Sequence, residues 1–308
     1  MQGVSGMCRV RYADHGKLRA ETHIDEGVTG MIKELGITVL SENRAGARGL
    51  LAEHGWALWV EADGRKILFD TGQGMVLTHN GRKLDVDLSI TDDVVLSHGH
   101  YDHTGGLDAV LAEACRPDVY VHPAAFQAKY GKGADGVARS IGCHVRSADE
   151  VRSRSGNVVL TQLPTEIVDG VWVTGEIPRR SDFEDTGGPF FLDEKLTKPD
   201  PLVDDQAMYI ESRKGTIVLL GCAHAGLVNT LDRIAELTSR DEIHAVLGGM
   251  HLHAASEERI ERSVEALERH SVRVLGPAHC TGRQATSRLW ARFPDRCVEC
   301  PTGSRFAF

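Results

Sequence analysis

The chain has no apolar run near the roughly 20 residues a membrane-spanning helix needs, so an integral membrane protein is not expected. It also lacks a basic run: 35 Lys and Arg against 44 Asp and Glu leave a net charge of -9, which argues against nucleic acid as a partner. Met1 to Arg19 mix charges with glycines and offer no apolar signal core, so the cytoplasm is the expected location. The seven cysteines, an odd number scattered from Cys8 to Cys300, do not look like a disulfide framework, and a reducing compartment is expected. Cys297-x-x-Cys300 has no second pair at zinc-ribbon spacing and reads as two ordinary thiols. No Pro, Gly or Ser linker divides the 308 residues, and 41% hydrophobic content suffices for a buried core. A single domain over 1–308 is expected, with homo-oligomerisation left open.

What the chain does have is concentrated in Ser97-His98-Gly99-His100-Tyr101-Asp102-His103-Thr104-Gly105-Gly106, directly after the apolar run Val94-Val95-Leu96. Alternate side chains of an extended segment share a face, so His98 and His100 can close on one ion. The following Thr-Gly-Gly lets the chain turn, which aims Asp102 and His103 at a second point nearby. Two ions are implied, since paired sites place their metals about 3.5–4 Å apart.

Two hairpins give the chain a faint internal repeat. Ala57–Glu61 and Lys66–Asp70 flank Asp63-Gly64, a strong turn signal; Ala207–Glu211 and Ile217–Leu220 flank Lys214-Gly215. Further strands are expected at 119–121, 158–160, 171–173, 244–247 and 272–275. Ser256 is placed to cap a helix marked by Ile260, Val264 and Leu267, with acidic residues near its start. Leu227, Leu231, Ile234 and Leu237 mark another helix. The proline-rich stretch of about 178–205 reads as an irregular loop, a lid or binding surface.

The clustered run cannot complete a dinuclear site alone. His224 and His279 each follow an apolar strand and precede a helix start, which makes them candidate ligands. His251, after Gly248-Gly249, is a candidate ligand or substrate-side acid/base.

The His-x-His-x-Asp-His run resembles the signature of the metallo-β-lactamase superfamily. That resemblance implies an α+β fold, the four-layer αβ/βα sandwich, with metals at the edge between two sheets. It also implies that Asp70 orients the metal loop, since metal-bound imidazoles commonly donate their free N–H to a carboxylate. The common pattern places a His in a mid-chain Gly-His turn and a bridging Asp in a later Gly-Asp turn. This chain has Gly175-Glu176 and Gly221-Cys222-Ala223-His224 instead. The third ligand of the first metal and any bridging ligand therefore lie among His224, Glu176 and Cys222, with His224 preferred.

A finer likeness is carried by Ser41-Glu42-Asn43, Glu53-His54-Gly55, Phe69-Asp70-Thr71-Gly72-Gln73, Thr174–Arg179, Gly221–Gly226, Gly248–Leu252 and His279-Cys280-Thr281-Gly282. These segments resemble the branch named after 7,8-dihydropterin-6-methyl-4-(β-D-ribofuranosyl)-aminobenzene 5'-phosphate synthase. The expected activity is that of a dinuclear metal-dependent hydrolase using a bridging hydroxide on a small phosphoester, lactone or related substrate, with Asp102 and His251 as catalytic candidates. The alternative is a transferase of the synthase type that releases diphosphate. A redox di-iron role is disfavoured by His100, where the flavo-diiron type has Glu, and a binding module by the intact ligand run. Two divalent ions are expected, zinc first, with iron or manganese also suited to a His/Asp set. Arg179 and Arg180, beside the irregular loop, are candidates to clamp a substrate phosphate or carboxylate.

Overall fold

The computed structural model describes residues 30–308, so the readings of Met1 to Arg19 and of Cys8 lie outside the described residues. Two sheets face each other. The first runs, in spatial order, Arg305–Ala307, Leu35–Ser41, Ala57–Ala62, Arg65–Phe69, Asp93–Val95, Asp118–Val121 and Val158–Leu160. The second runs Val274–Ala278, Ile243–Gly249, Gly215–Leu220, Met208–Ser212, Val171–Val173 and Thr165–Val168.

The two expected hairpins are present, Ala57–Ala62 with Arg65–Phe69 and Met208–Ser212 with Gly215–Leu220. In each sheet the second hairpin strand then pairs in parallel with the strand that follows it in the chain through a helical crossover. The halves are thus built alike, as the repeat implied.

Strand alternation creates the layers. Ile67 and Phe69 point between the sheets, meeting Ile217, Leu219 and Leu247, whereas Leu68 points outward to Leu77, Leu107 and Val110. In the second half Val218, Leu220 and Val246 point outward against Leu227, Leu231, Ile260 and Val264. Helix, sheet, sheet and helix make the four-layer αβ/βα sandwich. The helices Leu227–Thr238 and Glu257–Arg269 carry the expected stripes, and Ser256 caps the second by accepting the amide of Arg259.

One strand is shifted from its expected place. It spans Val274–Ala278 rather than 272–275, because the preceding helix ends at Arg269 with His270 as its C-cap, Ser271 adopts φ +52°, and two more residues are used in reversing the chain. The 178–205 stretch is largely irregular, but Phe190–Phe191 joins a small ribbon with Tyr130–Lys132 and Ala138–Ser140. Among the described residues no helix is long and apolar enough to cross a membrane.

Candidate metal centre

The clustered residues sit where the strand Asp93–Val95 runs out. Asp70, at φ +58°, turns its carboxylate under that end and accepts the Ser97 amide through Oδ1 and the Ser97 hydroxyl through Oδ2, both at 2.7 Å. Between His98 and His100, Gly99 presses so closely on the next segment that a Cβ there would lie 2.2 Å from Ala125 O. Its amide donates to Asp204 Oδ2 at 2.7 Å. The short turn Tyr101–Thr104 then carries Asp102 and His103 around to a second position.

Hydrogen bonds fix the imidazole tautomers. The Ser97 hydroxyl gives its proton to Asp70, so it accepts from His98 Nδ1 at 2.9 Å. His224 Nδ1 donates to Thr186 O, His103 Nδ1 to Asp70 Oδ2, and His279 Nδ1 to Asn43 Oδ1. In its neutral form each of these rings therefore keeps its lone pair on Nε2. The Nε2 atoms of His98, His100 and His224 are buried without a partner, and the three residues bring ligand atoms within 4.8 Å of one another. The Nε2 atoms of His103 and His279 face each other at 3.2 Å, with Asp102 Oδ2 at 3.7 and 3.2 Å from them respectively. Lone pairs turned toward one another in a dry interior are unfavourable unless something positive lies between them.

Cys222 joins the two sets. Its Sγ is 3.2 Å from His103 Nε2, and it groups with His98 and His103, with His279 and Cys280, and with His224 and His251. The second set also includes His54, whose Nε2 is 3.3 Å from Asp102 Oδ2.

The electrostatics follow the same division. Burial, with neighbouring histidines, holds His98 and His224 neutral and lowers His100 to about 3. His103 is the exception: burial opposes its charge, but Asp70 and Asp102 prevail and raise it to about 9. A metal ion held by Nε2 would take the place of the proton there. Burial works against ionisation of Asp102, yet His103 and His279 hold it well below the usual carboxylate range. Burial pushes the Cys222 thiol up, while Cys222 and His251 together pull Cys280 down against its own burial.

His224, His251 and His279 enter from the second sheet, just past its strand ends at Leu220, Gly249 and Ala278. Ala223, His251 and His279 adopt φ of +56°, +44° and +51°, sharp reversals of the kind stored at functional sites. His251 packs its ring 4.2 Å from that of His224, and its Nε2 lies 3.2 Å from Gly187 O. Phe190 stacks edge-on to His224 and tilted over His100, so the 178–205 stretch walls the site. Beyond the histidines a cavity of about 940 Å³ opens, lined among others by Tyr101, Phe183, Phe190, His251, Ser256 and Arg259.

Three expected residues lie elsewhere. Glu176 is half exposed and pairs with His122 Nε2 at 3.1 Å, because its amide is tied to Gln162 O at the crossing between the sheets. Arg179 spends its guanidinium on the carbonyls of His224, Pro201 and Leu202, so it braces the His224 turn instead of facing the cavity. Arg180 is on the surface with Glu236. Asn43, His54, Asp204 and Arg259 enter the site without having been singled out as functional candidates. Asn43 and His54 stand within motif segments, but no spacing distinguishes them.

The model of the metallo-beta-lactamase superfamily matches residues 51–279. A 7,8-dihydropterin-6-methyl-4-(beta-D-ribofuranosyl)-aminobenzene-5'-phosphate synthase of Methanocaldococcus jannaschii is 27% identical over 277 residues, 86% of this chain and 94% of that protein. An uncharacterized protein of the same organism is 30% identical over 255 residues, 82% and 93% of the two chains. The crystal structure of Tm1679, described as a metal-dependent hydrolase of the beta-lactamase superfamily, is similar at a TM-score of 0.75 and 30% identity, over 88% of this chain and 98% of that one.

Proposed function

The chain belongs to the metallo-β-lactamase superfamily, and from that premise we propose that it is a dinuclear metal-dependent hydrolase acting on a small phosphoester, lactone or related substrate. The observation that carries this reading is the convergence of imidazole Nε2 atoms, those of His98, His100 and His224 on one side and of His103 and His279 on the other. His98, His100 and His224 would hold one ion; Asp102, His103 and His279 would hold the other. Cys222 stands between them as the bridging candidate. An all-imidazole set beside a mixed set with a thiol suits zinc, with iron or manganese also accommodated at the His/Asp positions. When bound, the ions would supply Lewis acidity and a water of lowered pKa.

The chain's own groups then have distinct tasks. Asp70 orients His103 and, through Ser97, His98, which keeps both rings aimed. Asp102 presents a carboxylate that stays ionised and can accept a proton from the attacking water. His251, whose pKa is raised by Cys280 against the opposing effect of burial, is placed to exchange a proton with the leaving group. Phe190 and the rest of the 178–205 stretch exclude bulk water as a lid. One domain over 1–308 with that lid is part of the same proposal.

Likeness to the synthase supports a second reading, a transferase releasing diphosphate, for which Phe183 and Phe190 in the cavity would stack an aromatic ring. Metal content of the purified protein and of His103→Ala, by elemental mass spectrometry, tests both. About two ions falling to about one, with turnover of a phosphodiester or lactone, is the expected result. No metal after reconstitution overturns both readings, and metal without hydrolysis of any phosphodiester, lactone or β-lactam favours the transferase.

A further inference from the structure

Arg259 is the least satisfied charged group among the described residues. It lies in the first turn of Glu257–Arg269, is only 3% exposed, and lines the cavity. Of its five N–H groups only those on Nη1 have a partner, Asp185 Oδ1. Nε and Nη2 are buried with no partner. A guanidinium withdrawn from water with most of its donors idle is strongly unfavourable.

The idle atoms are not arbitrary. Nε and Nη2 form one edge of the planar guanidinium, the edge whose two parallel N–H bonds match the two oxygens of a carboxylate or a phosphate. The cavity lining that includes Arg259 also includes Ala255 and Ser256, at the start of a 13-residue helix whose dipole favours negative charge. The one counter-ion is weakly committed, since the Asp185 side chain is 81% exposed. His251 lines the same cavity. The lining also includes Tyr101, Ile141, Phe183 and Phe190, a largely apolar group.

We propose that Arg259 forms an anion subsite at the cavity wall away from the metal run, so that the substrate carries a phosphate or carboxylate on an apolar or aromatic body in addition to the group that reacts. This rests on the cavity being the substrate site of the hydrolase proposed above. The reacting group would lie at the histidines, and the Arg259 edge would take the second, unreacting acid group and set the orientation.

The test uses phenylphosphonate, which is not hydrolysed, titrated by calorimetry into the metal-loaded protein, Arg259→Gln, Arg259→Lys and Asp185→Asn, with benzoate as the second probe and metal content measured on each sample. Arg259→Gln is expected to weaken phenylphosphonate roughly ten- to a hundredfold, the range for hydrogen bonds to a charged group, with unchanged metal content. Arg259→Lys, which keeps the charge but not the fork, falls between. Asp185→Asn frees the guanidinium and binds at least as tightly as the wild type. Should phenylphosphonate bind Arg259→Gln and Arg259→Lys as it binds the wild type, the metals hold the probe and the subsite is refuted. If Asp185→Asn weakens binding as much as Arg259→Gln, Arg259 is a strut for the lid and the proposal falls. Tighter binding of benzoate than of phenylphosphonate to the wild type, with the same loss in Arg259→Gln, identifies the second group as a carboxylate. Absence of metal from the wild type is a separate outcome that strikes the hydrolase reading.

Discussion

Lys129→Met is the sharpest probe of what holds the metal loop. Lys129 Nζ lies 2.9 Å from Asp200 Oδ2 and 2.8 Å from Asp204 Oδ1, with all three groups buried. Asp204 in turn receives the Gly99 amide between His98 and His100. Removing the cation leaves two carboxylates in the interior with no counter-charge, and breaking a buried pair from one side costs about 3–5 kcal/mol. At roughly 2–4 °C per kcal/mol for a chain of this size, the unfolding midpoint should fall by about 6–20 °C. The pH dependence has a defined sign. Asp204 titrates below its unfolded value: burial opposes ionisation, but Lys129 and the Gly99 amide outweigh it. Its contribution is therefore present above about pH 4 and lost as pH falls through the lower folded value. Lys129 titrates above its unfolded value, since Asp204 and Asp200 outweigh burial, so its contribution is present below about pH 10 and lost as pH rises through the higher folded value. The gap between wild type and Lys129→Met should be broad and flat between these limits. It should narrow toward acid, where the orphaned carboxylates of the variant take up protons, and Asp200→Asn in the same chain should recover part of the loss. Urea unfolding at a series of pH values reads this directly. A loss under about 1 kcal/mol at neutral pH, or a gap that widens as pH falls, would refute the reasoning.

Asp70→Asn removes the carboxylate that orients His103 and anchors Ser97; metal affinity, measured by competition with a chromogenic chelator, should drop about 10- to 100-fold, with the fold retained. Gly99→Ala places a Cβ 2.2 Å from the Ala125 carbonyl; it should cost about 1–3 kcal/mol or more in urea unfolding and lower the bound metal, whereas wild-type metal content would contradict the tight contact.

The parts legible in the sequence were those written locally. His98, His100, Asp102 and His103 announce themselves within six positions, and the hairpins at 57–69 and 208–220 announce themselves by alternation around a turn. His224 and His279 were readable because an apolar strand ends just before each. Glu176 misled because a Gly-Glu pair at the expected point of the chain says nothing about which strand crossing it serves, and Gln162 settles that. Arg179 misled because a guanidinium beside a loop looks the same whether it faces substrate or three backbone carbonyls. Asn43 and Asp204 were hidden for another reason: the contacts with His279 and Gly99 span 236 and 105 residues, and no period connects their ends. Arg259 stood on a helix marked only by the stripe of Ile260, Val264 and Leu267, and its unpartnered Nε and Nη2 show only in the folded chain.

The strand Arg305–Ala307 has a bearing on the timing of synthesis. It is the outer neighbour of Leu35–Ser41, pairing Gly36 with Ala307 and Thr38 with Arg305. That first strand is made early, yet its exposed edge receives this partner only when nearly the whole described chain has emerged. Until then the edge is open to a strand from another molecule. The next residues, Glu42 and Asn43, are the ones that hold the His279 amide and ring. A nascent chain can therefore display the His98–His103 run long before His279 is seated opposite it, so the cluster closes only late in translation, after the two sheets have met.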